Sequence, residues 1–327
     1  MDDVTTDLLI IGAGPTGLYS AYYAGFRGMS VAVVDSLPEL GGQITAMYPE
    51  KAILDVAGFP SIKGRDLVEG LVAQAATADP HYFLDRTALT LEHGDEHVVV
   101  GLDDGTSISA GAVLVTAGIG KFSPRPLPAG DGWLGRGLEF FVPSFAPYAG
   151  KDVVVVGGGD SAFDWAQHLE PIAKSVVLVH RREAFRAHQR TVDQVKASSV
   201  EIVTKAQVTA LLDNGSGNGV VEEVEITVDG EATTRPAQAV VAALGFLADL
   251  GPLQRWGIEV SKRHIVVDAS MRTNLHRVFA AGDVTEFPGK VRLIAVGFGE
   301  AATAVNNAAV VIDPTAHVFP GHSSDGT

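Results

Sequence analysis

One pattern occurs twice in this chain, and it limits the fold more than any other feature. A short apolar strand runs into a glycine turn, the turn opens a helix, and the helix leads back to a second apolar strand. Residues 7–36 read DLLIIGAGPTGLYSAYYAGFRGMSVAVVDS, and residues 152–186 read DVVVVGGGDSAFDWAQHLEPIAKSVVLVHRREAFR. Each is a βαβ unit with a G-x-G-x-x-G/A turn. The first glycine makes the turn, the second lets backbone approach a pyrophosphate, and the third packs helix against strand. Gly12, Gly14 and Gly17 hold these places in the first copy; Gly157, Gly159 and Ala162 hold them in the second. The helix beyond each turn offers amide hydrogens and a positive dipole to phosphate. Asp160 and Ser161 open the second helix and join its candidate nucleotide contacts.

The residues that close the second strand of each copy separate the two ligands. Asp35 lies eighteen residues beyond Gly17, where a carboxylate accepts hydrogen bonds from an adenosine ribose hydroxyl. Eighteen residues beyond Ala162 stands His180, followed by Arg181 and Arg182, with Arg186 in the same basic run HRREAFRAHQR. A carboxylate there would repel a ribose 2′-phosphate, whereas guanidinium groups bind one through paired, charge-assisted hydrogen bonds. The second copy therefore predicts NADP. The first predicts a nucleotide compatible with Asp35, and FAD fits because a resident flavin accepts hydride from NADPH.

Composition narrows the class further. At 327 residues the chain has room for two domains of ordinary size. Apolar residues make up 46% and are dispersed among 37 glycines and 16 prolines, as in a globular α/β protein. There is no cysteine, which excludes disulfides, thiolate metal sites and a dithiol relay, so redox chemistry has to belong to a cofactor. A formal charge of −15 argues against a nucleic-acid or anionic-membrane partner. The acidic start MDDVTTD is unlike a signal peptide, and no apolar run is expected to approach the roughly 20 residues of a membrane span. The expectation is a cytoplasmic protein.

The strand endings suggest how the copies are joined. HVVVGLDDGTSISAGAVLVTAG ends at Gly118, AVVAALGF ends at residue 246, and both read as crossings between domains. The expected architecture is α/β: two Rossmann-like, three-layer ββα nucleotide-binding domains, the second inserted in the first. Residues 1–118 and 248–327 form the FAD domain and 119–247 the NADP domain. After Asp35, LPELGGQITAMYPEKAILDVAGFPSIKGRDLVEGL is too irregular for a simple crossover and reads as a loop excursion before a helix. Its Gly41, Gly42 and Gln43 allow close backbone approach and an amide contact, and Tyr48 can stack on an isoalloxazine ring. In RVFAAGDVTEF, Asp283 ends a strand and can bind a ribityl hydroxyl, while a small-residue helix from near Gly297 aims its N-terminus at the ring.

Together, IIGAGPTGLYSAYYAGFRG, LGGQITAMYPEKAILDVAGFP, VVVVGGGDSA, HRREAFRAH, FAAGDVTEFPGKVRLIAVGFGEA and the tail PGHSSD make the chain resemble the thioredoxin-reductase-like flavoproteins. It resembles more closely the ferredoxin–NADP reductases built on that scaffold. Thioredoxin reductases carry a C-x-x-C pair just before the second glycine turn, and GLEFFVPSFAPYAGKDVVVVGGGDSA has none. The resemblance implies FAD contacts at Thr16, Asp35, Gln43, Tyr48, Ala88, Phe122, Asp283 and Ser324, with His322 stacking on the flavin face opposite Tyr48. It also implies a homodimer.

The activity expected from these readings is electron transfer between NADPH and ferredoxin or flavodoxin through FAD, with hydride delivered to flavin N5 and electrons then leaving singly. No protein acid or base is assigned a catalytic role, and no metal is expected. Two other readings stay open: an NADPH diaphorase that reduces quinones or free flavins, and a nucleotide-binding redox sensor without turnover. Ferredoxins are typically acidic, so docking on this acidic chain calls for a local basic rim, for which Lys121, Arg125, Lys290 and Arg292 are the candidates.

Overall fold

The structure is a computed structural model that describes residues 4–118, 120–319 and 321, without the side chains of 121–123, 247 and 248. The chain divides into two compact units, Met1–Phe122 with Ala248–Thr327, and Ser123–Leu247.

In the first unit the strands His81–Leu84, Val31–Asp35, Val4–Ile11 and Ser107–Val115 lie side by side and parallel in that order. Val31–Asp35 is buried throughout, as a parallel strand covered on both faces requires. The far edge of Ser107–Val115 is shared. Its first half pairs antiparallel with Val98–Leu102, which pairs in turn with Ala88–His93. Its second half pairs in parallel with Val278–Ala280. Val98–Leu102 alternates buried and half-buried residues, the signature of a ribbon with one face in the core.

Helix Pro15–Phe26 packs against Gly64–Ala75 and Ile294–Ile312. Its N-terminus is set by Gly14 at the cap and Pro15 in the first turn, where a fixed φ and a missing N–H cost nothing. Gly17, Ser20, Ala21 and Ala24 are buried at helical spacing and keep the inward face flat enough for backbone to approach backbone. Ile294–Ile312 likewise buries Gly297, Glu300, Ala301, Ala304, Val305 and Ala308. This 19-residue helix is apolar and long enough to cross a membrane by length and composition, contrary to the expectation that no run approaches that length. Its buried face, with a carboxylate in it, packs within the unit as a core helix does.

The second unit repeats the plan. Leu138–Glu139, Ala239–Ala242, Asp152–Val156, Ser175–Val179 and Glu201–Val203 are parallel and adjacent in that order. An antiparallel ribbon of Ala206–Leu212, Glu223–Val228 and Glu231–Pro236 precedes Ala239–Ala242. Strand for strand this is the order of the first unit, except that the fifth strand, Leu138–Glu139, comes before the glycine turn instead of near the chain's end. The fold is α/β with two parallel-sheet units.

The helix–strand contact behind the first turn is unforgiving. A Cβ on Gly17 would stand 1.8 Å from the Gly12 carbonyl oxygen and 2.8 Å from Thr116 Oγ1. Gly17→Ala is expected to push the helix off its strand at a cost of about 3 kcal/mol, the upper end of the usual overpacking range. Urea unfolding measures it, and an unchanged midpoint would show that the helix does not sit on this backbone.

Candidate cofactor sites

The three glycines of the first turn are required for three different reasons. Gly12 has φ +111°, and a Cβ on it would meet the Thr116 carbonyl oxygen at 2.6 Å. Gly17 is the packing glycine described above. A Cβ on Gly14 would meet nothing within 4 Å, so this glycine leaves open space directly before the helix N-terminus. The loop that follows Asp35 closes over the same turn: Gly41 N–H donates to the Ala13 carbonyl at 2.9 Å, and a Cβ on Gly42 would lie 2.9 Å from Gly14 Cα.

Asp35 sits at the end of its strand against this turn. Its Oδ2 accepts the Ala13 N–H at 2.6 Å and its Oδ1 the Leu37 N–H at 2.8 Å. Burial pushes the carboxyl group up from its ordinary pKa of 3.8, and the two backbone donors pull it back. The carboxylate is thus fixed beside the open cradle, with lone pairs left on both oxygens for a further donor.

Other candidates of the first unit gather around these residues. Gln43 reaches Gly118, its Nε2 lying 3.2 Å from where a Cβ on that glycine would be. Thr16 lies against both Gly282 and Gly297, its hydroxyl oxygen 2.8 and 2.5 Å from the Cβ positions those glycines leave empty. Tyr48 is deeply set, and burial, followed by the Asp283 and Asp55 carboxylates, pushes its phenol up to about 12. Tyr48 and Asp283, 235 positions apart in the numbering, therefore face one environment. Ala88 is a core residue, 5% exposed, so any ligand contact from that position is left to its backbone. Phe122 has its backbone in the strand Lys121–Pro124, but its side chain lies outside the described part, as do His322 and Ser324 altogether.

The second turn reproduces the first with different residues. A Cβ on Gly157 would meet the Ala243 carbonyl oxygen at 2.4 Å and the Ala162 Cβ at 2.9 Å, while one on Gly159 would meet nothing within 4 Å. The place taken by Asp35 beside Ala13 belongs here to His180 beside Gly158. A Cβ on Gly158 would be only 2.3 to 2.5 Å from three atoms of the His180 ring. The middle glycine of GGG is therefore the seat of an imidazole, a requirement that the turn motif alone does not contain. His180 Nε2 donates to the Ala184 carbonyl at 3.2 Å. Burial, and secondarily the charges of Arg181, Arg182 and Arg186, hold the ring below its usual pKa.

The basic run folds back across this turn. Arg186 N–H donates to the Gly158 carbonyl at 2.7 Å, and His188 N–H to Asp160 Oδ1 at 2.8 Å. Arg181, Arg182 and Arg186 are exposed, and among the described residues no carboxylate forms an ion pair with them; Glu183, within the run, pairs with Lys205 at 2.6 Å. Ser161 is exposed at the helix start. Asp160 thus holds the loop by its side chain while the arginine heads stay unpaired.

The structure corrects the basic rim at Lys290. Lys290 is buried, its side chain 2% exposed, with Nζ 2.5 Å from Glu300 Oε1. Arg292 pairs with Glu286 at 2.7 Å and donates to the Thr285 carbonyl. Arg125 is exposed, and the Lys121 side chain is not described. A lysine ten residues from its partner in sequence was taken by a carboxylate on the core helix, so it cannot meet a docking protein. Glu300 itself went unmarked at the sequence level; its signal is a lone acid among the small residues of GFGEAATA.

The chain belongs to the pyridine nucleotide-disulphide oxidoreductase family, which it matches over residues 6–308. It is an oxidoreductase of that family. It is 80% identical over 328 residues to a ferredoxin–NADP reductase of Nocardioides sp., spanning 99% of this chain and 98% of that one. To a ferredoxin–NADP reductase of Frankia alni it is 63% identical over 319 residues, 97% and 98% of the two chains. Among solved structures it is similar to T. acidophilum thioredoxin reductase, with a TM-score of 0.81 and 25% identity over 94% of this chain and 98% of that one.

The Gly158–His180 contact can be tested directly. Gly158→Ala should expel the imidazole from its seat, and losing the burial that lowers its pKa should move the titration back up toward the ordinary 6.5. An NMR titration of the ring protons reads this, and an unmoved His180 would show that the ring does not rest on the glycine.

Proposed function

We propose that the chain is an NADPH-dependent FAD oxidoreductase that carries electrons between NADPH and a ferredoxin or flavodoxin. The observation that carries this reading is one cradle built twice with opposite chemistry at the equivalent seat. Beside the first turn stands the carboxylate of Asp35, anchored by Ala13 and Leu37. Beside the second stand His180 and the unpaired, exposed Arg181, Arg182 and Arg186. The residues fit the groups assigned to them, since Gly14 and Gly159 leave free the space that a Cβ would fill at each helix N-terminus. The 80% and 63% identical relatives, both ferredoxin–NADP reductases, support the acceptor.

In this reading Asp35 accepts a hydrogen bond from the ribose of the FAD adenosine half, and the helix that starts at Pro15 directs its amides at the pyrophosphate. Thr16, Gly42, Gln43, Tyr48 and Asp283 line the remainder of the flavin site, with Phe122, the backbone at Ala88 and the tail residues His322 and Ser324 as further contacts. Arg181, Arg182 and Arg186 clamp the NADP 2′-phosphate, and Gly157, Gly159, Asp160 and Ser161 form the floor below its pyrophosphate. A bound isoalloxazine would supply the redox chemistry that links the two-electron donor NADPH to a one-electron acceptor. With no cysteine in the chain, the protein has no dithiol through which to route them. The reading includes a cytoplasmic homodimer with residues 1–118 and 248–327 as the FAD domain and 119–247 as the NADP domain.

Five measurements test it. Denaturing the purified yellow protein should release FAD; recovery of FMN alone would remove the assignment of the Asp35 site. Gly14→Ala should weaken FAD binding at least about tenfold, because the added methyl enters the cradle, and cost the apoprotein no more than the roughly 1 kcal/mol of a poorer helix cap; wild-type FAD affinity would mean the space is not a ligand's. Replacing Arg181 and Arg182 together should raise KM for NADPH, each lost charged hydrogen bond being worth about 1.5–3 kcal/mol, and leave NADH nearly unaffected. Equal weakening toward both nucleotides would make the arginines structural. Saturable reduction of a ferredoxin or flavodoxin separates the proposed enzyme from a diaphorase, and steady NADPH oxidation with ferricyanide separates both from a sensor without turnover.

A further inference from the structure

Beneath the Gly282–Asp283 turn lies an ion pair sealed from solvent, with side chains 2% exposed at Lys290 and 6% at Glu300. Lys290 Nζ is 2.5 and 2.7 Å from the two carboxylate oxygens. Each partner also holds the same backbone residue. Glu300 Oε2 accepts the Gly282 N–H at 2.8 Å, and Lys290 Nζ donates to the Gly282 carbonyl at 2.8 Å. The Thr285 backbone N–H and hydroxyl add two further donors to that carbonyl, at 3.1 and 2.8 Å. Gly282 is itself in the left-handed region, φ +83°, against the Thr16 side chain. Both polar groups of one residue are therefore fixed by charged side chains from beyond the turn.

Stability alone is a poor account of this arrangement. A buried ion pair recovers little beyond its own desolvation, and an apolar pair of similar volume often does as well. What an apolar pair cannot do is grip an N–H and a C=O at once, and charge-assisted bonds are the strong, directional ones. The next residue along is Asp283, whose negative charge helps raise the Tyr48 phenol.

We infer that Lys290 and Glu300 are positioning residues of the flavin site, holding the Gly282 backbone so that the Asp283 side chain is presented to the ribityl chain of FAD. The inference rests on the reading of the first unit as the FAD site and adds to it a pair that touches no ligand. It also accounts for a lysine and a glutamate kept together in a largely apolar core.

The test is a double-mutant cycle on FAD affinity, measured by fluorescence titration of the apoprotein with FAD. Asp283→Asn and Lys290→Met are each expected to weaken binding about tenfold, the worth of one charged hydrogen bond. Because Lys290 acts through Asp283, the double variant should be weakened only about tenfold to twentyfold, far short of the roughly hundredfold of independent sites. A full hundredfold would overturn the inference. In case Lys290→Met alone does not fold, Lys290→Met with Glu300→Leu removes both charges. That variant should melt like the wild type and still bind FAD about tenfold more weakly, since the Gly282 N–H has lost its acceptor and the carbonyl keeps only its Thr285 donors. Wild-type FAD affinity in it would show the pair to be purely structural and would also overturn the inference. An Asp283→Asn protein that binds FAD normally would instead overturn the flavin-site reading beneath it.

Discussion

Each unit depends on one contact in which backbone meets backbone with no side chain between. In the first unit, the glycine turn, the first turn of helix Pro15–Phe26 and the end of strand Ser107–Val115 converge where Gly12 faces the Thr116 carbonyl and Gly17 faces Gly12. Thr116 seals the junction, its hydroxyl donating to the Gly12 carbonyl at 2.7 Å. That approach brings the helix N-terminus close to the strand ends, so Asp35 can reach Ala13 and Gly41 can close over it. A single methyl group at Gly12 or Gly17 would separate these parts. The second unit makes the corresponding junction from Gly157 and Ala243, with the Ala162 methyl in the place of Gly17.

The same geometry carries two chemistries because one further position is free to vary. The residue between the first two glycines packs against the residue that ends the second strand. Ala13 leaves room for a carboxylate, which uses its N–H as a donor. Gly158 has no side chain, which leaves room for an imidazole ring. The ring in turn supports a loop whose three arginines project into solvent, anchored through Arg186 N–H and His188 N–H to the turn itself. Charge at the strand end and size within the turn thus change together.

Much of this was legible in the sequence, and the boundary of legibility has a physical cause. The glycine turns, Asp35, the arginine run and the helix at residues 64–75 were readable because each is a local pattern with a fixed spacing. The shared strand order of the two units was not, since Leu138–Glu139 joins its sheet from ahead of the glycine turn, and pairing between distant segments leaves no local trace. Lys290 was misread for the same reason. Its neighbours VRLIAVGFG suggest a surface near the flavin, but burial depends on Glu300 coming around on a helix, which no spacing rule anticipates. Gly158 holds no place in the turn motif; the reason for a glycine there is the ring eighteen residues after Ala162, visible only when both are in place.

The helix Ile294–Ile312 shows how a fold can hide a polar device in an apolar element. Read by composition it is hydrophobic enough for a bilayer, and its small residues suit close packing against Pro15–Phe26. The one carboxylate on its buried face would be costly to desolvate without a partner, and the chain brings Lys290 to it from the loop ahead of the helix. Once neutralised, the pair has hydrogen-bonding capacity left over, and that capacity falls on Gly282, a residue whose left-handed backbone leaves its N–H and C=O outside any regular ladder. The helix thereby fixes the turn that precedes Asp283, while its own first residues, through Gly297, rest against Thr16 at the start of the opposite helix. Segments almost three hundred residues apart in numbering are thus brought together by contacts that only glycine permits at Gly282 and Gly297.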